Sequence, residues 1–267
     1  MFTRLPPVRR MTGLLVLVLP VCFTACADKR PTDGPSTPPP VAGVNTGGLG
    51  GAHDELAALA AAAQDRHLTA RYALTTPGRA DRSVLVTRAT DGTWRVDVSE
   101  TTPGGGAISL AATGAGLHQC VIAAADRPPG CVRLGAPDAP VPYPYDLRVQ
   151  HPFTDWLPVL TDRRAPLAVS AARQLPGAAG SCYSVESTTA ALPPPLDVGI
   201  YCYDRDATIT AVRTVTGTLT LVEPPGPAPD TVQLAGPVID ADPLDLTTPG
   251  DSDPIVRTYL PSPHHTT

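Results

Sequence analysis

Between residues 53 and 67 apolar positions recur at Leu56, Leu59, Ala60 and Ala63, the i, i+3, i+4, i+7 spacing of one helix face. Asp54 and Glu55 stand near its start, where acids suit the helix dipole. The spacing predicts a helix whose alanine-rich stripe packs closely on a sheet. From residue 68 the period drops to two. In LTARYALT, Leu68, Ala70, Tyr72 and Leu74 alternate with Thr69, Arg71, Ala73 and Thr75. RSVLVTRA and TWRVDVS flank Asp91-Gly92, a hairpin signal. In the second of these strands Trp94, Val96 and Val98 take one side and Arg95, Asp97 and Ser99 the other. AISLAAT and LHQCVIA continue the meander as a half-buried antiparallel sheet.

Residues 142–160 interrupt this pattern, and a short helix is predicted over Thr154–Leu160, with Phe153 and Trp156 as rare bulky side chains to plug a core or roof a cavity. Strand runs return in APLAVSAARQ, GSCYSVES, VGIYCYD, ATITAVRT and GTLTLVE. From Pro224 proline and acid dominate; DTVQLAGPVI predicts an edge strand and the rest a loose tail. The fold class is therefore α+β, rich in short strands. With 33 prolines, 23 glycines and 4% aromatic residues, the composition agrees with strands and turns rather than long helices.

The N-terminus has a different character. MFTRLPPVRR carries three arginines and no acid, and MTGLLVLVLPVCF supplies an apolar run of about 13 residues. As a helix that run measures roughly 20 Å, short of the ~30 Å hydrocarbon core. These are the parts of an export signal over residues 1–25. Cys26 follows Thr24 and Ala25, the small residues that a lipoprotein signal peptidase requires, whereas Cys22 follows Pro20 and Val21. FTAC thus resembles the bacterial lipobox, with Phe23 in place of its leucine. The resemblance implies a diacylglyceryl group on Cys26 and a domain held at the outer face of the cell membrane; two acyl chains suffice for a stable anchor. An ordinary signal peptide cut near Ala25 or Ala27 is the alternative. Residues 26–51 are then a Pro/Gly-rich tether, too poor in apolar side chains to fold. Residues 52–245 form the domain and 246–267 a flexible tail.

Charge narrows the partners. The formal net charge is −5, and loss of Arg4, Arg9 and Arg10 with the signal peptide makes it −8. An acidic chain without a basic stripe argues against nucleic acid. Four cysteines remain in the domain, in an oxidising compartment. Cys120 with Cys131 and Cys182 with Cys202 each lie across consecutive strand segments joined by a proline-containing loop, which predicts those two disulfides among three connectivities. Zinc is the alternative, but no CxxC and no histidine at ligand spacing supports a metal. The sequence holds no GxSxG elbow, HExxH or phosphate-binding glycine loop. His118 and His151 have no partners visible in the sequence. The expectation is a protein without catalytic residues and without a cofactor.

Lipobox, polar tether, N-terminal helix and then ARYALT, SVLVTRATDGTWRVDVS and GAGLHQC resemble actinobacterial lipoproteins with the lipoprotein-carrier (LolA-like) fold, which the mycobacterial LppX/LprG-type lipid carriers share. One departure is DRDAT, where Ala207 stands at a hairpin position that favours glycine. The resemblance implies a sheet curled into a half-barrel, with an N-terminal and a short mid-chain helix on its concave side. It also implies an apolar cavity for acyl chains, lined by Leu74, Val84, Trp94, Val96, Val98, Ile108 and Leu110, and hence a lipid-binding or lipid-shuttling function. The alternation fits equally a solid core in a non-carrier envelope interaction or sensor domain.

Overall fold

The computed structural model describes residues 49–99, 107–122, 128–190 and 193–247. The expected signal peptide, Cys26, nearly all of the tether and residues 248–267 lie outside the described residues.

The first element is α1 (Leu49–Gln64), which begins a turn earlier than the apolar spacing suggests. It stops where Arg88 takes over its last carbonyls: Nη1 donates to Ala63 O at 2.6 Å and Nη2 to Gln64 O at 2.7 Å. Six strands follow as a meander: β1 (Leu68–Thr75), β2 (Arg82–Arg88), β3 (Trp94–Ser99), β4 (Ala107–Thr113), β5 (Gly116–Val121) and β6 (Gly130–Gly135). A crossover then carries two short 3-10 turns, Tyr143–Tyr145 and His151–Phe153, and the helix α2 (Trp156–Thr161). The second meander comprises β7 (Leu167–Ala172), β8 (Ser181–Ser187), β9 (Gly199–Tyr203), β10 (Ile209–Thr214) and β11 (Gly217–Leu221).

All eleven strands belong to one antiparallel sheet in the order β6-β5-β4-β3-β2-β1-β11-β10-β9-β8-β7. The first and last strands are neighbours at its centre, with Tyr72 opposite Leu221 and Leu74 opposite Leu219. The sheet is open, with β6 and β7 at its margins. Period-two alternation sends one set of side chains to the face that carries the helices. There Leu56, Ala60 and Ala63 of α1 and Leu157 and Leu160 of α2 join Tyr72, Val84, Val185, Tyr201 and Ile209 in one buried cluster. The alanine stripe explains the close approach: Ala60 is fully buried although it has only a methyl group to offer.

The opposite, outer face carries both expected disulfides. Cys120–Cys131 joins β5 to β6 and Cys182–Cys202 joins β8 to β9, each between directly opposed residues. The hairpin between β9 and β10 does need a left-handed residue, and Ala207 supplies it with φ 59°. Asp204 holds that turn, its Oδ1 accepting from the Asp206 and Thr208 amides at 2.9 and 2.8 Å.

The edge strand expected over DTVQLAGPVI is reduced to one parallel bridge between Val238 and Cys131. Prolines at 224, 225, 227, 229 and 237 remove ladder donors, so the segment runs instead as an irregular strap. Gly226 pairs with Thr69, the Thr90 and Asp91 amides donate to the carbonyls of Pro229 and Asp230, and Arg95 Nη1 donates to Gln233 O. Pro237 and Ile239 then bracket Cys131. The chain stays engaged as far as Leu246, whose amide donates to Pro144 O at 2.6 Å.

One buried polar atom gives a test of the core. The Tyr203 hydroxyl is enclosed without a hydrogen-bond partner among the described residues, and burial pushes its ionisation upward. Tyr203→Phe removes that hydroxyl with little change of shape, so it should stabilise the domain by about 1 kcal/mol. Urea denaturation checks this, and a lowered midpoint would mean that the hydroxyl is bonded.

Candidate functional site

The seven side chains expected to line a cavity all lie on the helix-bearing face or in register with it. Two cross-strand rows hold five of them: Tyr72–Val84–Val98–Ile108–Val121 and Ala70–Val86–Val96–Leu110–Gln119. Trp94 is partly buried one position along, opposite Arg88 and Ala112. Leu74 lies further toward the far end of β1.

These residues do not share one surrounding. Leu74, Val84, Val96 and Val98 belong to the cluster that α1 and α2 complete. Among the hollows beside it, one of about 10 Å³ lies next to Leu74 and Trp156 and one of about 20 Å³ between Tyr72, Phe153 and Leu157. A single water needs ~10–15 Å³ and a ligand pocket ~300–1,000 Å³, so each of these two has room for about one water and not for a ligand. Ile108 and Leu110 are buried on β4 directly opposite Val98 and Val96 of that cluster, and Leu117 is buried on β5 opposite Ala112. They extend its rows as an apolar wing on β4 and β5.

Gln119 stands in that wing, at the end of the Val96–Leu110 row and 3% exposed. Sequence reasoning passed over it, although the alternation of LHQCV puts it in phase with Leu117 and Val121. Both ends of its side-chain amide are engaged by the strap: Nε2 donates to Leu244 O at 2.8 Å and Oε1 accepts from Leu244 N at 2.6 Å.

The densest polar cluster lies on the crossover. His151 sits between two carboxylates, Nε2 donating to Asp146 Oδ2 at 2.9 Å and Nδ1 to Asp155 Oδ1 at 2.7 Å. Its ring stacks on Trp156, with centroids 5.1 Å apart and 17° between planes. Gln150 Nε2 donates to Asp146 Oδ1 at 2.6 Å, and Arg148, in the left-handed region at φ 64°, binds both oxygens of Asp197 at 3.0 and 3.2 Å. Burial works against charge on the imidazole, but the two carboxylates outweigh it and hold its pKa up at about 9. Burial likewise opposes ionisation of Asp146 and Asp155, and their bonds to His151 keep both below the usual carboxylate range. At neutral pH His151 is therefore a cation with both N–H groups engaged, a clamp rather than a base, since a base must first be neutral.

The linkage has a definite sign. The raised pKa makes the His151 contribution complete below its ordinary value near 6.5 and removes it as pH rises through about 9. The depressed carboxylates act oppositely, with a contribution present above their ordinary pKa near 3.8 and lost on acidification. A protonated imidazole quenches indole emission more strongly than a neutral one. Trp156 fluorescence should therefore rise with a midpoint near pH 9, and His151→Gln should abolish that step. A flat titration between pH 7 and 10 would contradict the clamp.

His118, by contrast, is buried with Nδ1 2.9 Å from Gly116 O. Among the described residues no helix is long and apolar enough to cross a membrane, and no group of three or more His, Cys, Asp or Glu side chains is arranged to hold a metal. No protein-family model matches the chain, and no curated protein is significantly similar to it.

Proposed function

We propose that this chain is an extracytoplasmic lipoprotein, held at the outer face of the cell membrane by a diacylglyceryl group on Cys26. Its LolA-like half-barrel binds or shuttles an acyl-bearing molecule. The observation that carries the reading is the pair of continuous apolar rows, Val84–Val98–Ile108 and Val86–Val96–Leu110, on the helix-bearing side of the sheet. A chain laid there would exchange burial in the bilayer for burial on protein. Each methylene gains about 0.8 kcal/mol in either place, so transfer is close to balanced and can run in both directions. The reading assigns no catalysis: the titratable cluster at His151 serves to fix the crossover.

A second reading rests on the close packing beside the helices. Hollows of about 10 and 20 Å³ beside the helices suit a non-carrier interaction or sensor domain on the same anchor.

Two mass measurements decide. The N-terminal peptide of the native membrane protein should begin at Cys26 and carry acyl chains; an unmodified peptide starting elsewhere rejects the anchor. Residues 27–267, secreted behind a cleavable leader and purified without detergent, should yield a defined lipid near one per protein on solvent extraction. Protein that is clean and refuses added lipid leaves the interaction-domain reading.

A further inference from the structure

The two ends of the sheet differ in polarity. Where β2 turns into β3 and β9 into β10, the turns carry Asp91, Asp204, Arg205 and Asp206. At the other end β10 turns into β11 through Val215 and Thr216, and no charge stands in that turn. Val215 is 80% exposed at its tip, and Val198, just ahead of β9, is 46% exposed. The two are neighbours. Arg213 pairs with Ile200, and Gly199 lies so close to β10 that a Cβ there would stand 2.1 Å from Arg213 O. Prolines extend the patch on both sides: Pro77 is exposed in the turn from β1 to β2, and Pro193, Pro194 and Pro195 are exposed ahead of Val198. Single exposed apolar residues are ordinary, but a contiguous set marks an interaction surface.

The patch is held in place before anything binds it. Thr76 Oγ1 donates to Thr216 O at 3.2 Å, and Gly217, at φ 139°, lets the turn close down until a Cβ would stand 2.6 Å from Thr75 O. Little ordering cost is then left for a partner to meet. The chain also enters the domain on this side. Asp54 in the first turns of α1 pairs with Arg163 at 3.1 Å, and Arg163 leads into β7 at Leu167, which lies opposite Ser187 at the same end as Val198. Gln64, at the far end of α1, is capped by Arg88 near the charged turns. Beside the patch Arg79, Arg82 and Arg213 outnumber Asp81, and Arg148 is paired with Asp197. An acidic chain therefore presents no net repulsion there to phosphate headgroups.

We infer that this end of the sheet rests on the bilayer, with Val198 and Val215 inserted at the boundary between headgroups and acyl chains. The inference rests on the anchor at Cys26 proposed above, whose tether reaches α1 from the same side. Docked so, the domain stands with the row Val84–Val98–Ile108 nearer the membrane than Val86–Val96–Leu110, and an acyl chain rising along the helix-bearing side meets that row first.

Nitroxide depth measurement tests the orientation. The full chain, purified from membranes, is reconstituted into vesicles of phosphatidylethanolamine and phosphatidylglycerol. Single labels are placed by Val198→Cys, Val215→Cys and, at the opposite end, Arg205→Cys, without reductant so that the two disulfides stay closed. Labels at 198 and 215 should collide several-fold more with oxygen than with a water-soluble nickel chelate, and the label at 205 should show the reverse. Adding Val198→Ser to the Val215→Cys chain should lower the ratio at 215 several-fold, since binding follows the apolar area inserted. Labels at 198 and 215 that favour the nickel chelate, or immersion at all three positions, overturn the inference. The N-terminal peptide of the same sample is weighed to separate docking from anchoring. Acylated Cys26 with water-exposed labels keeps the anchor and rejects the docking face. An unmodified N-terminus rejects the anchor; immersed labels would then still uphold the face, and protein that leaves the vesicles overturns both.

Discussion

Removing the Cys182–Cys202 disulfide as the double variant Cys182→Ser/Cys202→Ser should lower the stability of the domain by about 3 kcal/mol. The bridge closes a loop with sequence separation 20, and the chain-entropy model gives ~3.3 kcal/mol for such a loop. For a domain of this size that is a fall of about 7–13 °C in melting temperature. Cys120–Cys131, with separation 11, gives ~2.8 kcal/mol by the same relation. The two losses differ in kind more than in size. Cys182 and Cys202 pack in a small outer cluster with Leu175 and Ala211, so their loss stays local. Cys131 is gripped from the strap by two backbone bonds of 2.8 Å, one from its amide to Pro237 O and one from the Ile239 amide to its carbonyl. Cys120→Ser/Cys131→Ser should therefore also increase amide exchange across residues 236–246, and the other pair should not. Thermal melts with hydrogen exchange on both variants check this, and identical exchange patterns would disconnect strap from disulfide.

The second large effect is expected at Trp156. It is 6% exposed, stacks on His151 and meets Tyr201 edge-on at 6.2 Å and 72°. Truncating a buried tryptophan costs about 3–5 kcal/mol, and here the clamp loses its platform as well. Trp156→Ala should fall in that range, and Trp156→Phe should retain most of the stability because a ring still faces Tyr201. Urea midpoints at unchanged slope measure both. A loss below about 1 kcal/mol for Trp156→Ala would mean that the crossover is an appendage to the core.

The expected roof over the core is thus α2 with its clamp, and the sequence announced only part of it. Phe153 and Trp156 were conspicuous because bulky residues are scarce. Nothing in the sequence marked Asp155, four residues beyond His151, as its partner, and Asp146 joins across a backbone bend at the left-handed Arg148. Strand identity was legible wherever one face is dry and the other wet: β1 occupies the span its alternation marks out. β6 was not, since GCVRLG has no apolar alternation and owes its place to pairing with β5. The two disulfides followed from setting each cysteine pair across consecutive segments joined by a proline-containing loop, for Cys131 with no alternation to mark its strand. The apolar side chains of β3 and β4 could be assigned a face but not a neighbour, because period two says nothing of what lies above the sheet. The strap is illegible for a related reason. Its bonds to Thr69, Asp91, Gln119 and Pro144 are made one residue at a time, with no repeat to betray them.

The seam between β1 and β11 bears on how the domain comes to be made. Each meander is assembled from hairpins, whose pairings are local and quick to form. The pairing of Tyr72 with Leu221 joins the first strand to the last, a contact whose loop entropy must be met before it stabilises anything. A chain emerging N-terminus first can complete β1 to β6 and form Cys120–Cys131 while the second half is still unmade. Until β11 arrives, β1 is an open edge at what will become the middle of the sheet, with Tyr72 and Leu74 uncovered. That interval is when this protein is most prone to pair with a second nascent copy.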